Sequence, residues 1–292
     1  MNLPSTNGGG PPVIVFTKPW QHLGLGELAD LVSDLGFAGI ELPVREGYQV
    51  EPDRIGELLG KAVEAFEDRG LMIFSVAGDV DRATALACAR AGIPVLRTML
   101  KLDSEKSYRE NVDAFRNRCR EIGEVLKDSP TTIGLQNHCD EFVSSAMGLI
   151  HAIDPLPADR VSAVLDLGHT GLDGEAEDIA IDIAWPRLSL VNLKNALRRV
   201  GGRDERGAAI WNRFWVPGKK GYTNWEKAIG ELSRRNYRGP ICLTAEYQDA
   251  SRRSVTGENI IPYLKEDLDY LQLLIEESYG ANSELGMKRQ GE

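Results

Sequence analysis

With 292 residues, 42% of them hydrophobic and 27% charged, the chain has ample material for a packed core and lacks the bias of a disordered or fibrous protein. Lys plus Arg number 34 against 44 Asp plus Glu, a formal charge of −10, so the average surface repels phosphate backbones and anionic lipid; nucleic acid and membrane surfaces are not expected partners. The scattered cysteines, Cys88, Cys119, Cys139 and Cys242, form no Cys-x-x-Cys pair, and no apolar run approaches the ~18 residues of a membrane span. Reduced thiols in a cytoplasmic protein are expected.

The Gly/Pro-rich residues 1–12 read as a flexible tail. Then short β-rich runs alternate with amphipathic segments. VIVFT (13–17) precedes a helical pattern at 26–36; AGIEL (38–42) precedes one at 52–70, where Leu58, Ala62, Ala65 and Phe66 recur at helical spacing. LMIFSV (71–76) precedes the Ala-rich 81–92, and PVLRTM (94–99) precedes a long helix at 107–128. TTIGLQ (131–136) is followed by a helix at 141–153, and VSAVLD (161–166) by one at 176–184. SLVNLK (189–194) leads through a long loop to a helix at 224–236, and ICLTAE (241–246) precedes a helix at 262–278. Residues 278–292 read as a second flexible tail, leaving 13–277 as the folded unit.

Unbroken βα alternation implies parallel strands joined by helical crossovers, and eight such units select an α/β fold, a single (β/α)8 TIM barrel. No Gly-x-Gly-x-x-Gly follows the first strand, so a dinucleotide fold is disfavoured. Active sites of such barrels form at the carboxyl ends of the strands, where inward-pointing side chains alternate with outward ones. On that parity Thr132, Gly134, Gln136 and His138 share one face; Ser162, Val164 and Asp166 another; then Leu190, Asn192 and Lys194; Cys242, Thr244 and Glu246; Gly39 and Glu41. The inward rows end on polar or charged groups.

These stretches carry a resemblance. GFAGIEL, LQNH, LDLGH, NLKN, VPGKKGYTNW and TAEY, in this order and spacing, resemble the xylose isomerase-like barrel superfamily of sugar isomerases, epimerases and endonuclease IV-type enzymes, from Val13 to about Glu277. The resemblance implies Glu, Asp, His and Glu from strands five to eight around one divalent ion. Here the four positions read Gln136, Asp166, Asn192 and Glu246, so half the set is amide, and the familiar Lys-Asp pair after strand seven is Lys194-Asn195. Amide oxygens ligate hard cations, so the implied cofactor is Mg or Mn rather than Zn, held more weakly than usual; a site without its ion is the alternative. Gln136 also cannot exchange a proton, which disfavours inversion between two carboxylates.

Each of these residues has a plainer explanation. Asp166 can cap the next helix, and Glu246 can pair with a strand-end Lys or Arg. Glu41, which would orient a substrate hydroxyl, can instead pair with Lys18 or Arg97. His138 fits a proton shuttle or a loop hydrogen bond, and Cys139 an idle buried thiol; His22 and His151 look peripheral. The long loop 195–222 mixes arginines with Trp211, Phe214 and Trp215, a composition suited to a sugar ring and an anion.

The expected function is a sugar or sugar-phosphate isomerase or epimerase that abstracts a proton next to a carbonyl. Glu246 would be the base, Lys194 and His138 would assist, and Glu41, His169, Trp215 and Lys219 would bind the carbohydrate. A keto-sugar lyase, or a non-catalytic sugar-binding barrel that has lost its ion, are the alternatives. An apurinic endonuclease is disfavoured by a total of four histidines and the acidic charge. A homodimer is the default assembly.

Overall fold

The structure, a computed structural model, describes residues 10–289, with side chains through residue 280. Eight parallel strands close into a barrel: β1 (Val13–Phe16), β2 (Gly39–Pro43), β3 (Met72–Ala77), β4 (Val95–Met99), β5 (Thr132–Gln136), β6 (Val161–Asp166), β7 (Leu188–Leu193) and β10 (Ile241–Leu243). β1 is flanked by β2 and β10, which closes the cylinder. The helices are α1 (Leu25–Asp34), α2 (Ile55–Glu67), α3 (Arg82–Arg90), α4 (Tyr108–Val125), α5 (Ala146–Ile153), α6 (Leu167–Leu172), α7 (Glu177–Ala184), α8 (Trp225–Arg234) and α9 (Ile261–Arg289). Among the described residues, no helix is long and apolar enough to cross a membrane.

Two hydrophobic layers follow from strand parity. Ile14, Phe16, Phe74, Val95, Val164, Leu190 and Cys242 fill the interior, whereas their chain neighbours, such as Ile133, Leu135, Leu165 and Val191, face the helices. The interior is thus closed by packed side chains and opens only at its rim. At 25 cal per Å² of apolar surface, each fully buried Leu or Ile contributes about 1.5–3 kcal/mol, so the outer layer supplies most of the driving force.

The ends of the fold depart from the expected tails. Pro11 and Pro12 are buried, and residues 1–9 lie outside the described residues. The boundary at 277 falls inside α9, and Tyr279 is buried with its hydroxyl donating to the Tyr237 carbonyl. Residues 290–292 lie outside the described residues.

Two further differences affect the site. The expected loop after β7 is an antiparallel hairpin, β8 (Asn195–Arg203) and β9 (Ala209–Val216). Its turn is built by Asp204, whose Oδ1 accepts the Arg206 and Ala208 N–H groups, and by Gly207 at φ +81°. The eighth barrel strand stops at Leu243, three residues earlier than expected, because Ala245 takes a left-handed backbone, φ +51°. That conformation costs an alanine about 1 kcal/mol and redirects the chain just before Glu246.

Candidate active site

Gln136 ends β5. A Cβ on Gly134, two residues below, would lie 2.6 Å from Val95 Cγ1 and 2.7 Å from Val164 Cγ2, so only glycine lets the interior close under Gln136. Asp166 ends β6 and is also the N-cap of α6: its Oδ1 accepts the Gly168 and His169 N–H groups at 3.1 and 3.3 Å. The plainer reading of Asp166, as a helix cap, therefore holds. Its other oxygen, Oδ2, accepts the Gln136 amide at 2.8 Å and lies 3.4 Å from the Lys194 ammonium. Asn137 fixes the strand end, with its Oδ1 accepting Asp166 N–H and its Nδ2 donating to the Asp166 carbonyl.

Lys194 follows β7 and threads past Gly168, where a Cβ would come within 2.6 Å of the lysine Cγ. Its ammonium lies 2.9 Å from Glu246 Oε2 and 4.3 Å from the centre of the Trp215 ring. The Lys18 ammonium takes the other oxygen of Glu246 at 2.8 Å. Burial works against the charge on Lys194, but the carboxylates of Asp166 and Glu246 outweigh it and raise its pKa. Burial likewise disfavours the Glu246 carboxylate, yet Lys194 and Lys18 hold its pKa well below the usual range. Burial raises the Asp166 pKa above its ordinary value, with Lys194 offsetting only part of that push. Because Gln136, Gly168, His169 and Lys194 all present donors to the Asp166 carboxylate, its ionised form is the one the geometry holds.

His138 sits over this group. Its Nδ1 lies 2.9 Å from the Cys139 carbonyl, which can only accept, so Nδ1 carries the proton and Nε2 is left unprotonated. Burial and then Lys194 lower its pKa from 6.5 to about 4. His169, expected to touch substrate, is instead fully buried behind His138; its Nδ1 accepts the Cys139 N–H, and burial lowers its pKa well below 6.5. Burial raises the Cys139 thiol to about 12, so it stays a thiol and is no nucleophile.

Glu41 is also closed to a ligand. Arg97 grips both its oxygens, at 2.5 and 3.2 Å, and Ser75 donates to it at 2.6 Å, with Glu41 wholly buried. This is the structural pairing that Arg97 offered as an alternative. Lys219 stands apart too: it is exposed, with its ammonium 4.5 Å from the Tyr270 ring on α9. Trp215 reaches the site, whereas Trp211 at the hairpin is 61% exposed and does not.

Gln136, His138, Asn192, Lys194, Thr244 and Glu246 converge on an inner cavity of about 190 Å³. It adjoins an outer cleft of about 900 Å³ that shares Lys18 and Glu246 and is bordered by Trp215, Tyr48 and His22. His22 is therefore not peripheral, whereas His151 is, paired with Tyr108 on the outer helices. Three buried oxygens in the inner cavity, Gln136 Oε1, Asn192 Oδ1 and Thr244 Oγ1, have no hydrogen-bond partner. Buried acceptors are rarely left so, and their convergence makes this cavity the candidate place for a donor-rich ligand. Tyr48, Arg45 and Phe142, which complete the walls, lie on loops without periodicity, so nothing in the sequence pattern singles them out.

The same oxygens suit a hard divalent cation by type, but the charges do not. Asp166 and Glu246 supply two negative charges, and Lys194 and Lys18 already answer them with two positive ones. A divalent ion about 4 Å from the buried ammonium would be repelled by roughly 8 kcal/mol at an effective dielectric of about 20. With Lys194 where it stands, these residues do not fit the ion that the resemblance implies. His138, Cys139 and His169 form a second cluster with metal-ligand atoms within 4.8 Å of one another, but His169 Nδ1 is taken by a backbone N–H and the thiol is protonated.

A family model described as xylose isomerase-like TIM barrel matches residues 29–274. No match was found among curated proteins. Similar solved structures include a probable 3-DHS dehydratase from Bacillus anthracis (15% identity, TM-score 0.66, covering 89% of this chain and 98% of that one). A D-psicose 3-epimerase crystallised with D-fructose is 15% identical (TM-score 0.67, covering 92% and 99%). A xylose isomerase-like TIM barrel protein from Mycobacterium smegmatis in complex with magnesium is 17% identical (TM-score 0.66, covering 92% and 97%). Identities this low carry the fold and nothing finer.

Proposed function

The chain belongs to the xylose isomerase-like TIM barrel family, and from that premise we propose that it is a sugar isomerase-type enzyme that moves a proton next to a carbonyl. The observation that carries this reading is the group of unpartnered oxygens, Gln136 Oε1, Asn192 Oδ1 and Thr244 Oγ1, in one small cavity beside a buried ammonium. A polyol supplies the O–H donors those oxygens lack. A carbonyl or enediolate oxygen supplies the acceptor that an ammonium prefers.

In this reading His138 Nε2 takes the proton from the carbon next to the carbonyl. The C–H electron pair forms the new C=C bond, the carbonyl π pair moves onto oxygen, and Lys194 stabilises the resulting oxyanion. The neighbouring hydroxyl's proton passes to the oxyanion as its oxygen becomes the new carbonyl, and His138, its proton exchanging with solvent, protonates the former carbonyl carbon to complete a 1,2-isomerisation. Glu246 was the expected base, but two ammoniums hold its oxygens and depress its pKa, so its part is to fix Lys194 and Lys18. Gln136 cannot carry a proton, so inversion through a second carboxylate has no partner on strand β5. The outer cleft leaves room for a phosphate or glycosidic substituent on the sugar.

Incubation with aldoses, ketoses and keto-glycosides in D2O tests this. Deuterium is expected at the carbon next to the carbonyl, and His138→Gln should abolish its entry while the protein stays folded. Saturable sugar binding without any exchange would favour the non-catalytic binding barrel.

A further inference from the structure

We propose that the Lys194 ammonium takes the place of the divalent ion in this barrel, so that the resting site binds no Mg or Mn. The inference concerns the cation alone and stands apart from the reaction proposed above.

Lys194 is not a strand-end side chain that happens to lean inward. Its stem passes through the gap that the missing side chain of Gly168 leaves, and the Trp215 ring faces its ammonium. The backbone behind it is pinned by Asn195, buried, whose amide donates to the Gly218 and Thr223 carbonyls and whose Oδ1 accepts the Thr223 N–H. Held this way, the ammonium bridges the carboxylates of Asp166 and Glu246 at 3.4 and 2.9 Å and supplies the positive charge that the ion implied by the resemblance would supply.

The neighbouring amides agree with a lysine-centred site. Gln136 turns its N–H toward Asp166 Oδ2 at 2.8 Å, a donor aimed at an oxygen that an ion would otherwise require. Its oxygen and that of Asn192 face the cavity unpartnered, free for a ligand's hydroxyls. Replacing an acid and an imidazole by amides lowers the negative charge by one, and the lysine that the resemblance already places after strand seven, together with Lys18, balances the two carboxylates that remain.

Two chemical consequences follow. An ammonium donates single hydrogen bonds and cannot chelate neighbouring oxygens as a divalent ion does, so ligand orientation falls to the hydroxyl acceptors. It also cannot be stripped by chelators.

The probe is Mn, added to the full chain and followed by the loss of the free-ion EPR signal. Wild type is expected to leave that signal undiminished at millimolar Mn. Lys194→Met, which keeps the stem and removes the charge, is expected to take up Mn roughly 100-fold or more tightly. Stoichiometric Mn uptake by wild type overturns the proposal. So does a folded Lys194→Met protein that binds no better than wild type, because the lysine would then not be what excludes the ion. Should Lys194→Met fail to fold, Lys194→Gln serves as the second variant, and the wild-type titration remains decisive. The readout is metal binding, so its failure is distinct from failure of the isomerase reading, which deuterium exchange reports.

Discussion

The rings of His138 and His169 lie 4.0 Å apart, both neutral at rest beside the Lys194 ammonium. Lys194 faces both, while Glu246 and Asp140 draw His138 only weakly the other way. Burial and Lys194 bring His138 to about 4, so the unfolded chain takes up its proton first as the pH falls from 6.5. Stability is therefore expected to decline as pH drops from 6.5 toward about 4, and kcat/KM for the exchanging sugar to keep its acid limb near 4. A pH–rate profile alongside thermal melts checks both. An acid limb at 6.5 would mean that His138 titrates as an ordinary solvated imidazole or takes no part.

Glu41 and Arg97 make a two-pronged ion pair inside the barrel, sealed from solvent and shared with Ser75. Removing one member leaves the other charge buried and unanswered. Glu41→Ala is expected to cost about 3–5 kcal/mol of stability by chemical denaturation. A loss below about 1 kcal/mol would show that Arg97 finds another partner or reaches water. Because the pair closes Glu41 to ligands, sugar binding by whatever protein remains folded should be unchanged.

Restoring the family's acid, Gln136→Glu, exchanges a donor 2.8 Å from Asp166 Oδ2 for a second carboxylate. Like charges at that distance raise the folded-state pKa of the new group above its unfolded value of about 4.3. The cost is thus absent at low pH and appears as pH rises through and beyond about 4.3, reaching about 1–3 kcal/mol in neutral buffer. Melting curves of the variant and wild type at mildly acidic and neutral pH measure it. Equal melting shifts at both pH values would show that the new carboxylate is screened or swings away.

The barrel was legible because two simple periods alternate along the chain, and parity puts Gln136 and Asn192 on strands where they line the inner cavity, with Lys194 and Glu246 reaching it from just beyond their strands. What a lone position could not reveal was competition for each acid. Glu41 lies on the right face at the right height, but its fate depended on Arg97, 56 residues away. Glu246 depended likewise on Lys18, 228 residues away. His169 follows Asp166 by three residues in an unforeseen helix, α6, whose start turns it away from the cavity. The hairpin was within reach of the sequence: alternating side chains on both sides of Asp204–Gly207 are a strand–turn–strand signal, obscured by the many arginines and the expectation of an ordinary βα loop.

Lys194 follows β7, and the hairpin begins at the very next residue, Asn195; its return strand brings Trp215 back to the same ammonium. The loop after β10 grips that return strand, with Gln248 and Trp215 exchanging hydrogen bonds. Two paired strands thus run from the central charge to a tip where Val200, Ile210 and Trp211 stand in solvent. The residue that faces the ammonium and the residues that meet solvent therefore belong to one hydrogen-bonded ladder, not to separate connectors.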